Sequence, residues 1–229
     1  MSPLFVLLQE MIVPVETVVE ESYFSLLMKG GWILVPLFFL FFLAIAVIIE
    51  RWLVINKAKN KDKIWISQLK EMINEKKWQK ASKVYAKLDN SSAKVVLTGL
   101  EEIDNGIDEV EETMQIESRQ EINRLEKHMS YLGITATIAP MLGFLGTIFG
   151  VIKIFYNISV TNDLNIATIS DGLYQKMICS GVGLFVGIIA YTGYYLLNGK
   201  IDGVVAQVEK DSNEILKSIR QEKRQNNED

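Results

Sequence analysis

The sequence predicts an all-α integral membrane protein with three transmembrane helices, two of them extended far into the cytoplasm. Two observations carry this. Of 229 residues, 49% are hydrophobic, yet charge is segregated: three apolar blocks are nearly free of it and the rest is dense in Lys and Glu. Outside the blocks, apolar residues recur at helical spacing. A mean hydropathy of +0.17, a net charge of −4 and a pI near 5.3 fit a membrane protein with a mixed-charge soluble part. The Lys and Glu read as solvated helix faces, and the acidic balance argues against nucleic acid as a partner.

Residues 1–31 read as an outer, interfacial N-terminus, with amphipathic stretches at 4–12 and 17–28 lying on the bilayer. No Lys or Arg precedes the apolar run Leu4 to Leu8, so a cleaved signal peptide is not expected. The first span is 32–50. It follows Lys29-Gly30-Gly31, closes in Glu50-Arg51-Trp52, and carries Pro36 in its first turns, where a missing donor matters least.

Residues 51–130 predict a cytoplasmic helical domain. Trp78, Ala81, Val84, Tyr85 and Leu88 form one apolar face, Asp89 to Ser92 break and cap, and Asn105-Gly106 marks a turn. From Asp108, the pattern Val110, Met114, Ile122, Leu125, Met129, Leu132 runs without Gly or Pro into the second span. It predicts one long helix, part cytosolic and part membrane. Spans two (131–158) and three (166–198) flank a short outer loop, 159–165. At about 1.5 Å per residue, both exceed a hydrocarbon core of about 30 Å. Residues 199–229 continue span three as an amphipathic helix with Val204, Val208, Ile215 and Ile219 on one face, and the polar stretch from Gln221 is expected to fray. Arg51, Lys57, Lys59, Lys61 and Lys63 after span one set the orientation: N-terminus outside, the 51–130 segment and tail inside.

Function is written in ITATIAPMLGFLGTIFG, residues 134–150. An anchor needs only large apolar side chains. This segment instead has Pro140, Gly143, Gly146 and Gly150, with hydroxyls at Thr135, Thr137 and Thr147. Small residues let a neighbouring backbone approach, and a hydroxyl in hydrocarbon wants a partner. Gly146 with Gly150, and Gly183 with Gly187 in span three, have the spacing of close helix contact. Ionisable groups at membrane depth usually mark ion chemistry. Here they are Lys153, Asp171 and Lys176, all toward the outer ends, with no Asp or Glu at mid-depth. A titrating carboxylate would have to come from another chain. Thr147 and Ser180 both fall near mid-membrane in an antiparallel hairpin. They can face a common axis and hold water or pass a proton, or each can bond back to a carbonyl of its own helix.

No phosphate-binding loop, metal-ligand cluster or nucleophile–His pairing is visible, so neither an enzyme nor a cofactor is expected. His128 has no second ligand nearby, and Cys179 reads as a small apolar filler.

The chain resembles the ExbB/TolQ branch of the MotA-related proton-channel motor proteins. The resemblance rests on Lys29-Gly30-Gly31-Trp32, Ile49-Glu50-Arg51 and the run Ser91 to Leu100. Its most specific residues are Ala139-Pro140-Met141-Leu142-Gly143-Phe144-Leu145-Gly146-Thr147 and Gly181-Val182-Gly183-Leu184-Phe185-Val186-Gly187. It implies a homopentameric helical tube in the inner membrane of a Gram-negative bacterium, around single-span partners of the ExbD or TolR type that supply a membrane aspartate. Such assemblies drive a TonB-type or TolA-type protein. Thr147 takes the place of the family's ion-path threonine in span two, and Ser180 that of a second threonine. The family often has a glutamate where this chain has Gln175, followed by Lys176. Gln175, Lys176 and Lys153 are thus expected pore or partner contacts. The KGGW start and long outer N-terminus look more like ExbB than TolQ, and a gliding or secretion motor shares the same pore motifs.

Overall fold

The computed structural model describes residues 31–59, 64–85, 88–162 and 166–228. The amphipathic stretches expected at 4–12 and 17–28, and residues 163–165 of the loop, lie outside these. Every regular element among the described residues is a helix: α1 Leu34–Ala58, α2 Ile64–Asn74, α3 Trp78–Tyr85, α4 Ser91–Glu101, α5 Ile107–Glu126, α6 Met129–Thr161 and α7 Ile166–Glu228. Three stretches are long and apolar enough to cross a membrane: α1, the α5–α6 stretch and α7.

α6 and α7 form an antiparallel hairpin, and α1 packs along one flank of it. A small apolar cluster of Ile33, Leu34, Leu37, Ala139, Cys179 and Val186 lies toward the loop end. A larger one runs from Ala44, Leu132 and Ala190 past Leu125 down to the base, and includes Leu69, Val95 and Ile215. There α2, α4 and α5 surround the extension of α7. Val204, Val208, Ile215 and Ile219 are buried, as their spacing predicts.

Local signals explain most helix ends. Asn90 caps α4, its side-chain oxygen accepting from the Ala93 N–H at 2.7 Å. Gly106, at φ +129°, sits in a backbone conformation that only glycine adopts readily, and α5 starts at the next residue. Beside α4, Glu121 is buried but accepts from the Ser91 hydroxyl at 2.9 Å and from Arg124 at 2.6 Å. On the other side of α7, Lys70 donates to Glu214 at 2.6 Å and holds that carboxyl below its ordinary pKa, which docks α2.

Three expectations need correction. Val84 is exposed, because the short α3 turns only Ala81 and Tyr85 fully inward. α7 continues as helix to Glu228, where fraying was expected. Arg220 and Glu222 are tied to Glu111 and Lys76 there. Most consequential, the helix expected to run unbroken from Asp108 into the second span stops at Glu126 and restarts at Met129.

The break has its own chemistry. His128 takes a left-handed conformation, φ +69°, which is uncommon for any residue but glycine. Interrupting the ladder strands the last carbonyls of α5. Buried Arg51, from α1, donates to the Arg124 carbonyl at 3.0 Å and also pairs with Glu50. Glu50 in turn accepts from His128 Nδ1 at 3.0 Å. Two adjacent residues of α1 therefore hold both sides of the break. Arg51→Met keeps the buried stem but leaves the Arg124 carbonyl without its donor. We expect a loss of about 2–3 kcal/mol, the scale of a charge-assisted hydrogen bond, in unfolding titrations of the full chain in detergent. A loss below about 1 kcal/mol would show that other contacts hold the break.

Candidate functional site

The candidate site is the α6/α7 seam and its two flanks. Its centre is a backbone-to-backbone approach between Gly143 and Gly183. A Cβ at Gly183 would lie 2.6 Å from the Ala139 carbonyl oxygen and 2.9 Å from the Gly143 Cα. One at Gly143 would lie 2.9 Å from the Cys179 carbonyl and 3.1 Å from the Ser180 Cα. Neither helix has room for a methyl group. One turn toward the base, a Cβ at Gly187 would meet the Pro140 ring at 2.5 Å and the Ala136 carbonyl at 3.2 Å. Pro140 has no N–H to offer that carbonyl, so an under-used acceptor sits inside the apolar hairpin against a glycine.

The glycines sort into two jobs that the spacing alone did not separate. Gly143, Gly183 and Gly187 make the α6/α7 crossing, with Pro140 inside it. Gly146 and Gly150 instead make room for side chains: Gly146 faces Ile33 at the start of α1 and the Cys179 side chain, and Gly150 lies under the stem of Lys176. Cys179, fully buried, fills the seam as its size suggested.

Lys176 does not reach across a free pore surface within its own chain. Its stem crosses Gly150, and its ammonium comes within 3.9 Å of where a Gly31 Cβ would stand. The charge is thus carried to the loop end of the bundle, where a lysine can reach water. Lys153, two turns beyond Gly146 on α6, is exposed. Gln175 lies on α7, and its side chain is outside what the structure describes.

Thr147 and Ser180 share a flank. At about 100° per residue, Thr147 is turned a quarter-circle or more from Gly146, which meets α1, and Ser180 about 140° from Gly193, which meets Ile48 of α1. Both therefore sit on the side of the hairpin away from α1, both half-exposed. Pro140 and Gly187 continue this flank toward the base. Thr147 Oγ1 donates to the Phe144 carbonyl at 2.6 Å, and among the described residues no hydrogen bond joins it to Ser180. Its oxygen keeps its acceptor capacity for a water or a second chain. Thr135, by contrast, is buried with a hydroxyl that has no partner. Sequence reading marked it only as one hydroxyl among three. Its heptad position relative to Leu132, Ala139 and Gly146 was the available signal.

The profile of the MotA/TolQ/ExbB proton channel family matches residues 87–210, more than half the chain, including α4, α5, α6 and the hairpin part of α7. The chain is 25% identical over 91 residues to the Tol-Pal system protein TolQ of Haemophilus influenzae, covering 40% of each chain. It is 31% identical over 101 residues to a putative biopolymer transport protein ExbB homolog of Methanothermobacter thermautotrophicus, covering 44% of this chain and 36% of that one. Against the biopolymer transport protein ExbB of Pseudomonas putida it is 32% identical over 87 residues, or 37% of this chain and 26% of that protein. The matches span two fifths or less of these relatives' lengths.

Proposed function

Because the chain belongs to the MotA/TolQ/ExbB proton channel family, we propose that it is the stator-like subunit of a motor driven by the proton gradient across an inner membrane. In this reading copies of the chain form a homopentameric tube, the loop end faces the periplasm and the base faces the cytoplasm. The pore encloses an ExbD-type single-span partner, and the assembly energises TonB-dependent transport across the outer membrane.

The observation that carries the reading is the flank bearing Thr147 and Ser180. It offers two hydroxyls and, near Gly187, the Ala136 carbonyl at membrane depth, while the chain has no mid-depth carboxylate. Such a surface can relay a proton held by a partner's aspartate but cannot store one itself. A Tol-Pal role is supported by the similarity to the Haemophilus protein. A non-conducting scaffold is favoured by one contact, the Thr147 bond back to Phe144.

Reconstitution in liposomes separates these. The motor reading expects proton flux from the chain together with its single-span partner, and none when the partner's membrane aspartate is replaced by asparagine. Absence of flux in both preparations would leave the scaffold. Flux from the chain alone would make it a channel in its own right. Co-purification of a TonB-type or a TolA-type protein decides the branch.

A further inference from the structure

The base of the molecule carries opposite charge on opposite sides of α7. Residues 76–83 read KKWQKASK, four lysines and no acid, and one of them, Lys77, donates to the preceding Glu75 at 2.7 Å. Lys76, Lys77, Lys80 and Lys83, with Trp78, line a cavity of about 500 Å³. The first turn of α3 has no acidic residue to offset its dipole, which adds to the positive potential there. Residues 101–112 read EEIDNGIDEVEE, seven acids and no base, and from α5 Asp108, Glu109 and Glu112 are exposed.

Two ion pairs fix where these patches lie. Lys76 Nζ is 3.7 Å from Glu222, and Arg220 donates to Glu111 at 2.6 Å. Residues 220 and 222 are neighbours on one helix, about 3 Å apart along the axis and about 160° apart around it. The basic cavity and the acidic edge therefore sit at one height, on opposed sides of α7. All copies of a membrane protein share one bilayer and hence one depth, so only patches at equal height can meet between them.

We propose that the four-lysine cavity receives the acidic edge of α5 from a second copy of this chain, giving a head-to-tail electrostatic belt at the base of the assembly. The proposal rests on the homo-oligomer of the preceding reading and says which surfaces join its copies. A contact between two different surfaces of one chain is heterologous, and it closes into a ring when its rotation divides the circle. Exposed ion pairs contribute little one at a time, but a row of like-signed groups facing its complement sets register and is sensitive to salt.

Cysteine cross-linking of the full chain in detergent tests this. Lys80→Cys combined with Glu109→Cys cannot close within one copy, because the two positions lie on opposed sides. On oxidation it is expected to give a ladder of multimers, while either single substitution stops at dimers. Lys80→Glu with Lys83→Glu is expected to dissociate at roughly two-fold lower salt, and adding Glu109→Lys with Glu112→Lys restores the parent's tolerance. A native mass showing only monomer for the unsubstituted chain would overturn the homo-oligomer reading and the belt with it. An intact multimer that gives no ladder, and whose salt tolerance is unmoved by Lys80→Glu with Lys83→Glu, would overturn the belt alone. An acidic protein retained by the parent and lost by that double variant, with the multimer unaltered, would also overturn it and give the cavity a different occupant.

Discussion

Thr147→Ala is expected to assemble normally and to lose proton flux to background. The two halves of this expectation have separate causes. Thr147 sits beside the seam, half-exposed, and its hydroxyl bonds only within its own helix. Removing it costs the chain less than about 1 kcal/mol, the net worth of one such hydrogen bond. The flank, however, loses one of its two hydroxyls, and an alanine can neither hold a water nor pass a proton. Thr147→Ser keeps the hydroxyl and should keep most of the flux. Reconstitution with the single-span partner of the proposed motor, normalised to assembled protein, gives the measurement. Full flux from Thr147→Ala at normal abundance would remove the hydroxyl from the path.

The second large effect is structural. Gly183→Ala is expected to loosen the hairpin, because the new methyl would meet only backbone: the Ala139 carbonyl at 2.6 Å and the Gly143 Cα at 2.9 Å. Neither can turn aside, so α6 and α7 must separate. Overpacking of this kind costs about 1–3 kcal/mol, partly offset by the roughly 1 kcal/mol that alanine gains over glycine in a helix. Between helices in lipid, close packing supplies much of the attraction, so separation also forfeits contacts along the rest of the seam. Gly181→Ala is the matched control: its Cβ would meet nothing within 4 Å, and it should be neutral or slightly stabilising. Thermal unfolding in detergent compares the two. Equal midpoints would mean that the seam yields more easily than its distances imply.

Much of this was legible in the residues. Three apolar blocks of spanning length and a 3.6-residue period specify helices whatever their neighbours do, and the capping at Asn90 and the turn at Gly106 are local chemistry. The break at His128 was not legible. It contains neither Gly nor Pro, and it exists because Glu50 and Arg51, more than seventy positions earlier, satisfy its polar groups. Glu121 illustrates the same limit. It is buried where the apolar pattern led to Ile122, because Ser91 and Arg124 arrive to pair with it.

In the site, sequence identified the glycines and hydroxyls but not their partners. Which glycine meets which depends on the register of two antiparallel helices, a property of neither alone. The reach of Lys176 over Gly150 was hidden for a related reason. A long flexible side chain has many possible directions, and only the groove left by a missing Cβ selects one.

The unbroken length of α7 has a mechanical consequence. At about 1.5 Å per residue, its 63 residues make a rod about 95 Å long, stiff from the loop end to the base. Its hairpin partner is instead jointed at His128. A tilt of about 5° imposed at Lys176 swings Glu222, about 70 Å further along, by about 6 Å. A displacement at the loop end is therefore magnified at the base by leverage, and the bonds that Glu50 and Arg51 make across the joint are the contacts that must give to absorb the mismatch.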